Sequence, residues 1–391
     1  MASKAAYWTN ATIYTPAGIV EQGTLVVDDA GTIAAIGGPE LAADPAIARH
    51  DAGGRLLLPG FIDVHIHGGG GCNVMSGTYA ELDGVSRFHA AHGTTAFLAT
   101  TTTAPLAEIE QALRASADAM NQGVTGAGLI GIHLEGPYLS ERRRGAQSKA
   151  DLRIPTEAEI KRLIDAAAGQ IRIATVAPEI DGGMAAVRQF AAGGITVSAG
   201  HSDATFEQMR DAVGAGISHT THHFNGMSPL HHREPGVAGA GLLLSELTTE
   251  LICDGIHVHP AAVKLLFETK GAMNVCLITD AVTCAGLPDG DYGGVTMHEG
   301  QIYLKDGSSL AGSALTTIQA LRNAIRFTGY SLERLLPSIT EVPARQAGVS
   351  DRKGSLETGK DADFVLVDRE LDLYETIVGG RSVYARQSHE A

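Results

Sequence analysis

Asp63, His65 and His67 alternate with Phe61, Ile62, Val64 and Ile66 in "PGFIDVHIHGGGG", where four glycines close the run. Side chains two residues apart share one face of a strand. The spacing therefore predicts a carboxylate and two imidazoles converging on one side of a strand that ends in an open-backbone loop. Further along, other short apolar runs end in similar side chains. His133 and Glu135 lie in "IHLEGPY", His201 in "SAGHSDAT", His222 and His223 in "THHFNGM", and Asp280 in "LITDAVT". Thirteen of the sixteen histidines fall between His65 and His259, which puts the chemistry in the middle of the chain.

The residue types suit a divalent metal. Imidazole binds zinc, iron and similar ions, and a carboxylate can bridge two of them. Glu135, His201 and His222 offer three protein ligands and leave a position open, the arrangement of catalytic rather than structural zinc. His65 and His67 are expected to hold a second ion. The expected cofactor is one or two divalent ions per subunit, zinc first, with iron, cobalt, manganese or cadmium as alternatives. A bound ion lowers the pKa of its water from 15.7 to about 7. Asp280 has no cationic partner nearby in sequence, so it is placed to take the water's proton and pass it to a leaving group.

Such residues need a scaffold that gathers strand ends. From Gly60 onward eight apolar runs alternate with helical segments: "FIDVHIHG", "TTAFLATTT", "GLIGIHLEG", "IRIATVAPE", "ITVSAGHS", "ISHTTHHF", "ELICDGIHV" and "NVCLITDA". This predicts an α/β chain with a (β/α)8 TIM-type barrel over residues 59–344, its functional side chains at the C-terminal ends of the strands. "LAGSALTTIQALRNAIRF" reads as the closing helix. The stretch from Tyr7 to Leu58, and "GSLETGKDADFVLVD" with "LYETIVGGRSVYA", read as short strands and hairpins. Neither end holds enough chain for a core of its own. Residues 1–58 and 345–391 are therefore expected to join as one small, discontinuous β-sandwich domain.

Bulk properties narrow the partners. The 391 residues are 44% hydrophobic and 19% charged, as in ordinary globular chains. A net charge of -15 opposes non-specific nucleic-acid binding and requires local positive groups for any anionic substrate. No apolar run reaches the length of a membrane span, and "MASKAAYWTNATIYTP" lacks the apolar core of a signal peptide. Cys72, Cys253, Cys276 and Cys284 show no CxxC spacing. The expectation is a cytoplasmic enzyme with reduced thiols and neither nucleic-acid nor membrane partners.

Taken together, "PGFIDVHIHG", "HLEGPY", "AGHSDAT", "THHFNGMSPLHHREPG", "DGIHV", "ITDA" and "LAGS" are specific enough to name a family. Over essentially its whole length the chain resembles the amidohydrolase superfamily, and within it the N-acetylglucosamine-6-phosphate deacetylases. The resemblance implies metal-dependent hydrolysis of the acetamide of N-acetylglucosamine 6-phosphate to glucosamine 6-phosphate and acetate, in amino-sugar catabolism. It implies Glu135, His201 and His222 as principal metal ligands and His65 with His67 as a second pair. It further implies Asp280 as catalytic acid/base and His257 as a substrate contact that helps polarise the amide carbonyl. The backbone at Asn225 and Gly226, with Arg233, would form the sugar-phosphate site. Arg233 would act across a homodimer interface, in the neighbouring active site.

Two details qualify the resemblance. Many binuclear relatives bridge their metals with a carboxylated lysine on strand four, but "IRIATVAPE" has none, so Glu135 is expected to bridge. Where the family often has a histidine that contacts the sugar, this chain has Gln147, a substrate-binding candidate that cannot carry charge. Gln147 keeps a deacetylase of N-acetylgalactosamine 6-phosphate open, beside another N-acyl amidohydrolase such as a D-aminoacylase. A metal-binding scaffold without catalysis would have no use for Asp280. The run Arg142-Arg143-Arg144 reads as a solvated loop or as a steering patch for an anion. His133 is expected in the barrel interior, and His223, His231 and His232 in loops.

Overall fold

The computed structural model describes residues 5–41 and 44–387. All eight apolar runs become strands of one parallel sheet: Phe61–Ile66, Thr94–Thr100, Gly128–Glu135, Ile171–Val176, Thr196–Ala199, Ile217–Thr220, Thr248–Ile252 and Val275–Ile278. They are called strands one to eight here, and each pairs with the next in chain order. Most of their residues are buried on both faces, because helices cover the outside and side chains fill the inside. This explains why the runs read as continuously apolar and not as alternating.

The intervening helices start where the sequence supplies caps. Thr78 and Thr156 accept backbone N–H groups of Glu81 and Glu159, and Thr205 forms a capping box with Gln208. The helix Glu157–Ala166 then buries Ile160, Leu163 and Ala166 against the sheet, residues spaced three apart on one face. No helix among the described residues is long and apolar enough to cross a membrane.

The barrel closes between strands one and eight. Ile66 bridges Ala281 in parallel, and Asp280 donates its N–H to His65 O at 2.9 Å. Below that point the Asp63 carboxylate accepts Thr279 N at 3.2 Å and His65 N at 3.1 Å. Asp63 shares a strand with His65 and His67, as its spacing requires, but it spends its oxygens on this seam. Burial pushes its carboxyl up to about 7, against the opposing hydrogen bonds from Thr279 and His65.

The terminal segments pair in one sheet. Leu56–Pro59, which leads into strand one, lies antiparallel to Phe364–Val367, near the other end of the chain. Trp8, Ile13, Leu25, Leu57, Phe364 and Ile377 fill a core that neither segment could form alone. A second small sheet was not legible in the sequence: Gly290–Tyr292, Val295–His298 and Gln301–Leu304 form an antiparallel meander between strand eight and the closing helix Thr317–Thr328. Its strands are three or four residues long and separated by glycine turns, too short for a periodic signal.

Replacing Asp63 with Ala leaves two buried seam N–H groups without acceptors. The variant is expected to lose about 1–3 kcal/mol of stability for each. Urea unfolding checks this; an unchanged midpoint would remove Asp63 from the closure.

Candidate active site

The ends of strands one, three, five, six and eight deliver side chains to one point. Glu135 Oε1 lies 3.2 Å from both His201 Nε2 and His222 Nε2. Its Oε2 lies 3.3 Å from His67 Nε2, and His65 Nε2 stands 3.5 Å from Oε1. Asp280 Oδ1 is 3.2 Å from His67 Nε2 and 3.5 Å from His65 Nε2. Three groups with metal-ligand geometry result: Glu135-His201-His222, His65-His67-Asp280 and His65-His133-Glu250.

Three of these residues end their strands with left-handed backbone: His201 at φ 47°, His222 at 28° and Asp280 at 51°. That conformation is costly for residues other than glycine and tends to cluster at functional sites. Here it accompanies side chains that reach Glu135, from His201 and His222, and His65 with His67, from Asp280.

The imidazoles are oriented from behind. His201 Nδ1 donates to Arg143 O at 2.9 Å, His222 Nδ1 to Asn225 O at 3.1 Å, and His67 Nδ1 to Thr100 O at 3.2 Å. His65 Nδ1 donates to Glu250 Oε2 at 2.9 Å. With the Nδ1 side of each ring committed to these acceptors, all four Nε2 atoms face inward. Yet His201 and His222 face each other Nε2 to Nε2 at 3.1 Å, and His65 and His67 at 3.2 Å. Lone pairs facing at that distance repel unless a cation lies among them, so the donor set fits a divalent metal.

The charges agree. Burial alone would raise Glu135, but His65, His201 and His222 overcome it and hold the carboxyl well below its usual range. Burial would depress His67, but Asp280 and Glu135 raise it to about 9. Asp280 is likewise kept low against burial by His65 and His67.

A cavity of about 490 Å³ opens above this cluster. His67, Glu135, Gln147, His201, His222, Asn225, Gly226, His257 and Asp280 line it, together with Tyr292, Val295 and Leu304 of the meander. His257 is fixed by Asp254, whose Oδ2 accepts Nδ1–H at 2.6 Å. Burial would lower His257, but Asp254 more than offsets this and raises it. Gly226 must be glycine: its φ is 57°, and a Cβ would stand 2.9 Å from His201 Nδ1. Its missing side chain leaves room for the His201 ring.

Other residues sit differently from their sequence neighbourhood. Gln147 donates to Glu135 Oε2 at 2.7 Å, and its own oxygen accepts Thr102 Oγ1 and Thr103 N, both at 2.8 Å. At most one of its N–H groups remains for a ligand. Arg233 is exposed, bonded to His232 Nε2 at 2.7 Å, and does not line the cavity of its own chain. Arg142 and Arg143 both pair with Asp203, whose single charge offsets one of the two guanidiniums. His133 is a buried interior residue, bonded to Val64 O and Thr175 Oγ1, and burial drives it down to about 3. His223 lies in the loop after strand six, as expected, and is fully buried there.

Two residues escaped the sequence reading. Glu250 sits unexposed inside strand seven, and a glutamate in a buried parallel strand was itself a signal. Asp254, three residues before His257, was visible only as part of "DGIHV".

A barrel with this cluster at the C-terminal ends of its strands defines a metal-dependent hydrolase class. The amidohydrolase family model matches residues 56–383, and the chain belongs to that family. Curated relatives sharpen the comparison. The chain is 44% identical over 337 residues to an N-acetylglucosamine-6-phosphate deacetylase of Bacillus subtilis (strain 168), covering 84% of this chain and 85% of the relative. It is 38% identical over 340 residues to an N-acetylgalactosamine-6-phosphate deacetylase of Escherichia coli O157:H7, covering 86% and 89%. Among solved structures, a Mycobacterium smegmatis N-acetyl-D-glucosamine-6-phosphate deacetylase mutant in complex with N-acetyl-D-glucosamine-6-phosphate superposes with a TM-score of 0.90 at 33% identity, covering 97% and 99%.

Gly226→Ala is expected to push the His201 ring off its line. Metal affinity should fall about 10- to 100-fold, the usual effect of disturbing a ligand's support. Zinc titration of metal-stripped enzyme reads this; unchanged affinity would show that the loop yields without moving His201.

Proposed function

We propose that this chain hydrolyses the acetamide of N-acetylglucosamine 6-phosphate, releasing acetate and glucosamine 6-phosphate in amino-sugar catabolism. The observation that carries the proposal is the cavity itself: a carboxylate outside the tightest ligand trio, Asp280, and a histidine held by Asp254, His257, face the same space as the ligand cluster. Divalent ions, zinc first, held by Glu135, His201 and His222 and by His65 and His67, would supply a water of lowered pKa and a Lewis acid for the acyl oxygen.

The protein's own groups do the rest. Glu135 turns one oxygen to His201 and His222 and the other to His67, so it can serve both ligand groups. Asp280, kept ionised, takes a proton from the attacking water and gives it to the departing amine nitrogen. His257, with Nδ1–H committed to Asp254, presents Nε2–H to the acyl oxygen as charge develops. The main chain at Asn225 and Gly226 meets the sugar phosphate. Arg233, outside its own cavity, completes the site of the neighbouring subunit in a homodimer, where a guanidinium binds phosphate bidentately. The reading includes a cytoplasmic location.

The galactosamine epimer is the second reading, favoured by the 38% identity to the Escherichia coli relative. Acetate release from the two epimeric N-acetylamino-sugar 6-phosphates, and from unphosphorylated N-acetylglucosamine, tests both. The expected order is the glucosamine phosphate first and the unphosphorylated sugar last. Faster release from the galactosamine epimer would reverse the assignment.

Asp280→Asn should retain its metal and lower turnover about 10²- to 10⁴-fold. Near-normal turnover would end the proton-shuttle role. Asp254→Asn removes the charge that raises His257. The alkaline limb of kcat/KM, where protonated His257 is lost, should therefore move to lower pH; a fixed limb would exclude His257 as the acid form required. Arg233→Ala should raise KM strongly for the phosphorylated sugar and little for the unphosphorylated one, and equal effects would discard the phosphate contact.

A further inference from the structure

Glu250 is used by none of the steps above. It is completely buried in strand seven, and its carboxylate is held well below the usual range, with burial opposed by His65 and His219. Its oxygens have three donors. Oε2 accepts both His65 Nδ1–H, at 2.9 Å, and the backbone N–H of His222, at 3.0 Å. Oε1 accepts His219 Nε2–H at 3.2 Å. One oxygen therefore touches the back of one ligand group and the main chain of the other.

The four histidines of the cluster are not supported alike. His67, His201 and His222 lean on neutral backbone carbonyls, and His65 alone leans on a carboxylate. A carboxylate behind an imidazole raises the ring's basicity as a ligand and fixes its tautomer. Strand four brings no lysine that could be carboxylated, so the cavity lacks that source of negative charge. Leu251 and Ile252 beside it are fully buried and apolar, whereas Glu250 stands among three buried N–H groups that an apolar side chain would leave without acceptors.

We propose that Glu250 is the positioning residue that makes His65 and His67 a second ion site, and that it ties that site to the first through the backbone of His222. The inference rests on the assignment of His65 and His67 to a second ion. It does not depend on which sugar is hydrolysed.

The variant that separates charge from shape is Glu250→Gln. The amide oxygen can still accept from His65 and His222, and its NH2 can meet His219, whose Nδ1 is free to take the ring proton since it has no partner. Metal-stripped full-length protein would be titrated with Zn²⁺ and the bound ions counted by native mass spectrometry. Wild type should take two ions. Glu250→Gln should take the first with wild-type affinity and need about 10- to 100-fold more free zinc for the second. His65→Gln should lose the second ion outright, and adding Glu250→Gln to it should change nothing more, since both act on one ligand.

A single ion in wild type, two ions of unchanged affinity in Glu250→Gln, or equal weakening of both ions would each overturn the proposal. Where Glu250→Gln does not fold, Glu250→Asp keeps the charge but withdraws it from His65, and the same selective loss is expected. Failure of both variants to fold would assign Glu250 to the core. Because the readout is ion binding, an enzyme that ignores N-acetylglucosamine 6-phosphate would refute the proposed reaction and leave this result standing.

Discussion

Acceptor atoms crowded around Glu135 set the constraint that the remaining structure serves. Four imidazole nitrogens and two carboxylates each have a neighbour in the cluster at 3.1–3.5 Å, with the Nδ1 sides turned away. Such a cluster repels itself unless a cation joins it. A fold can hold it only by fixing every member from behind, and the structure does so with carbonyls of Thr100, Arg143 and Asn225 and the carboxylate of Glu250.

The same constraint explains where the backbone departs from regular geometry. Strand ends point along the barrel axis, but the ligands must aim across it. His201, His222 and Asp280 make that turn in left-handed conformations, and Gly226 leaves room for the His201 ring. Strain of this kind, of order 1–3 kcal/mol for each residue, persists only where neighbours over-determine it. The seam between strands one and eight is one such neighbour, because it carries His65, His67, Asp63 and Asp280 together.

Carboxylates divide the labour by environment. Asp63, facing amides at the seam, is pushed up by burial, whereas Glu135, Asp280 and Glu250, facing imidazoles, are held down. Four buried acids in one barrel thus occupy two protonation regimes, decided by whether the group opposite can carry positive charge. Asp254 extends the pattern to the cavity wall, where it raises His257 against burial.

The chain's sequence determined the eight strands, their parallel order and the residues at their ends, because buried parallel strands are continuous apolar runs and the polar residues that interrupt them stand out. Asp63, His65 and His67 were readable as one face from spacing alone. Spacing could not say that Asp63 would turn to Thr279, because strand eight lies more than two hundred residues away. Nor could it say that Gln147 would hold Glu135, that Arg142 and Arg143 would both pair with Asp203, or that Glu250 would stand behind His65. Those are meetings between distant segments, decided by barrel closure and loop packing. A sequence specifies which groups are present and which face of an element they share; only the closed tertiary structure decides which group each one faces.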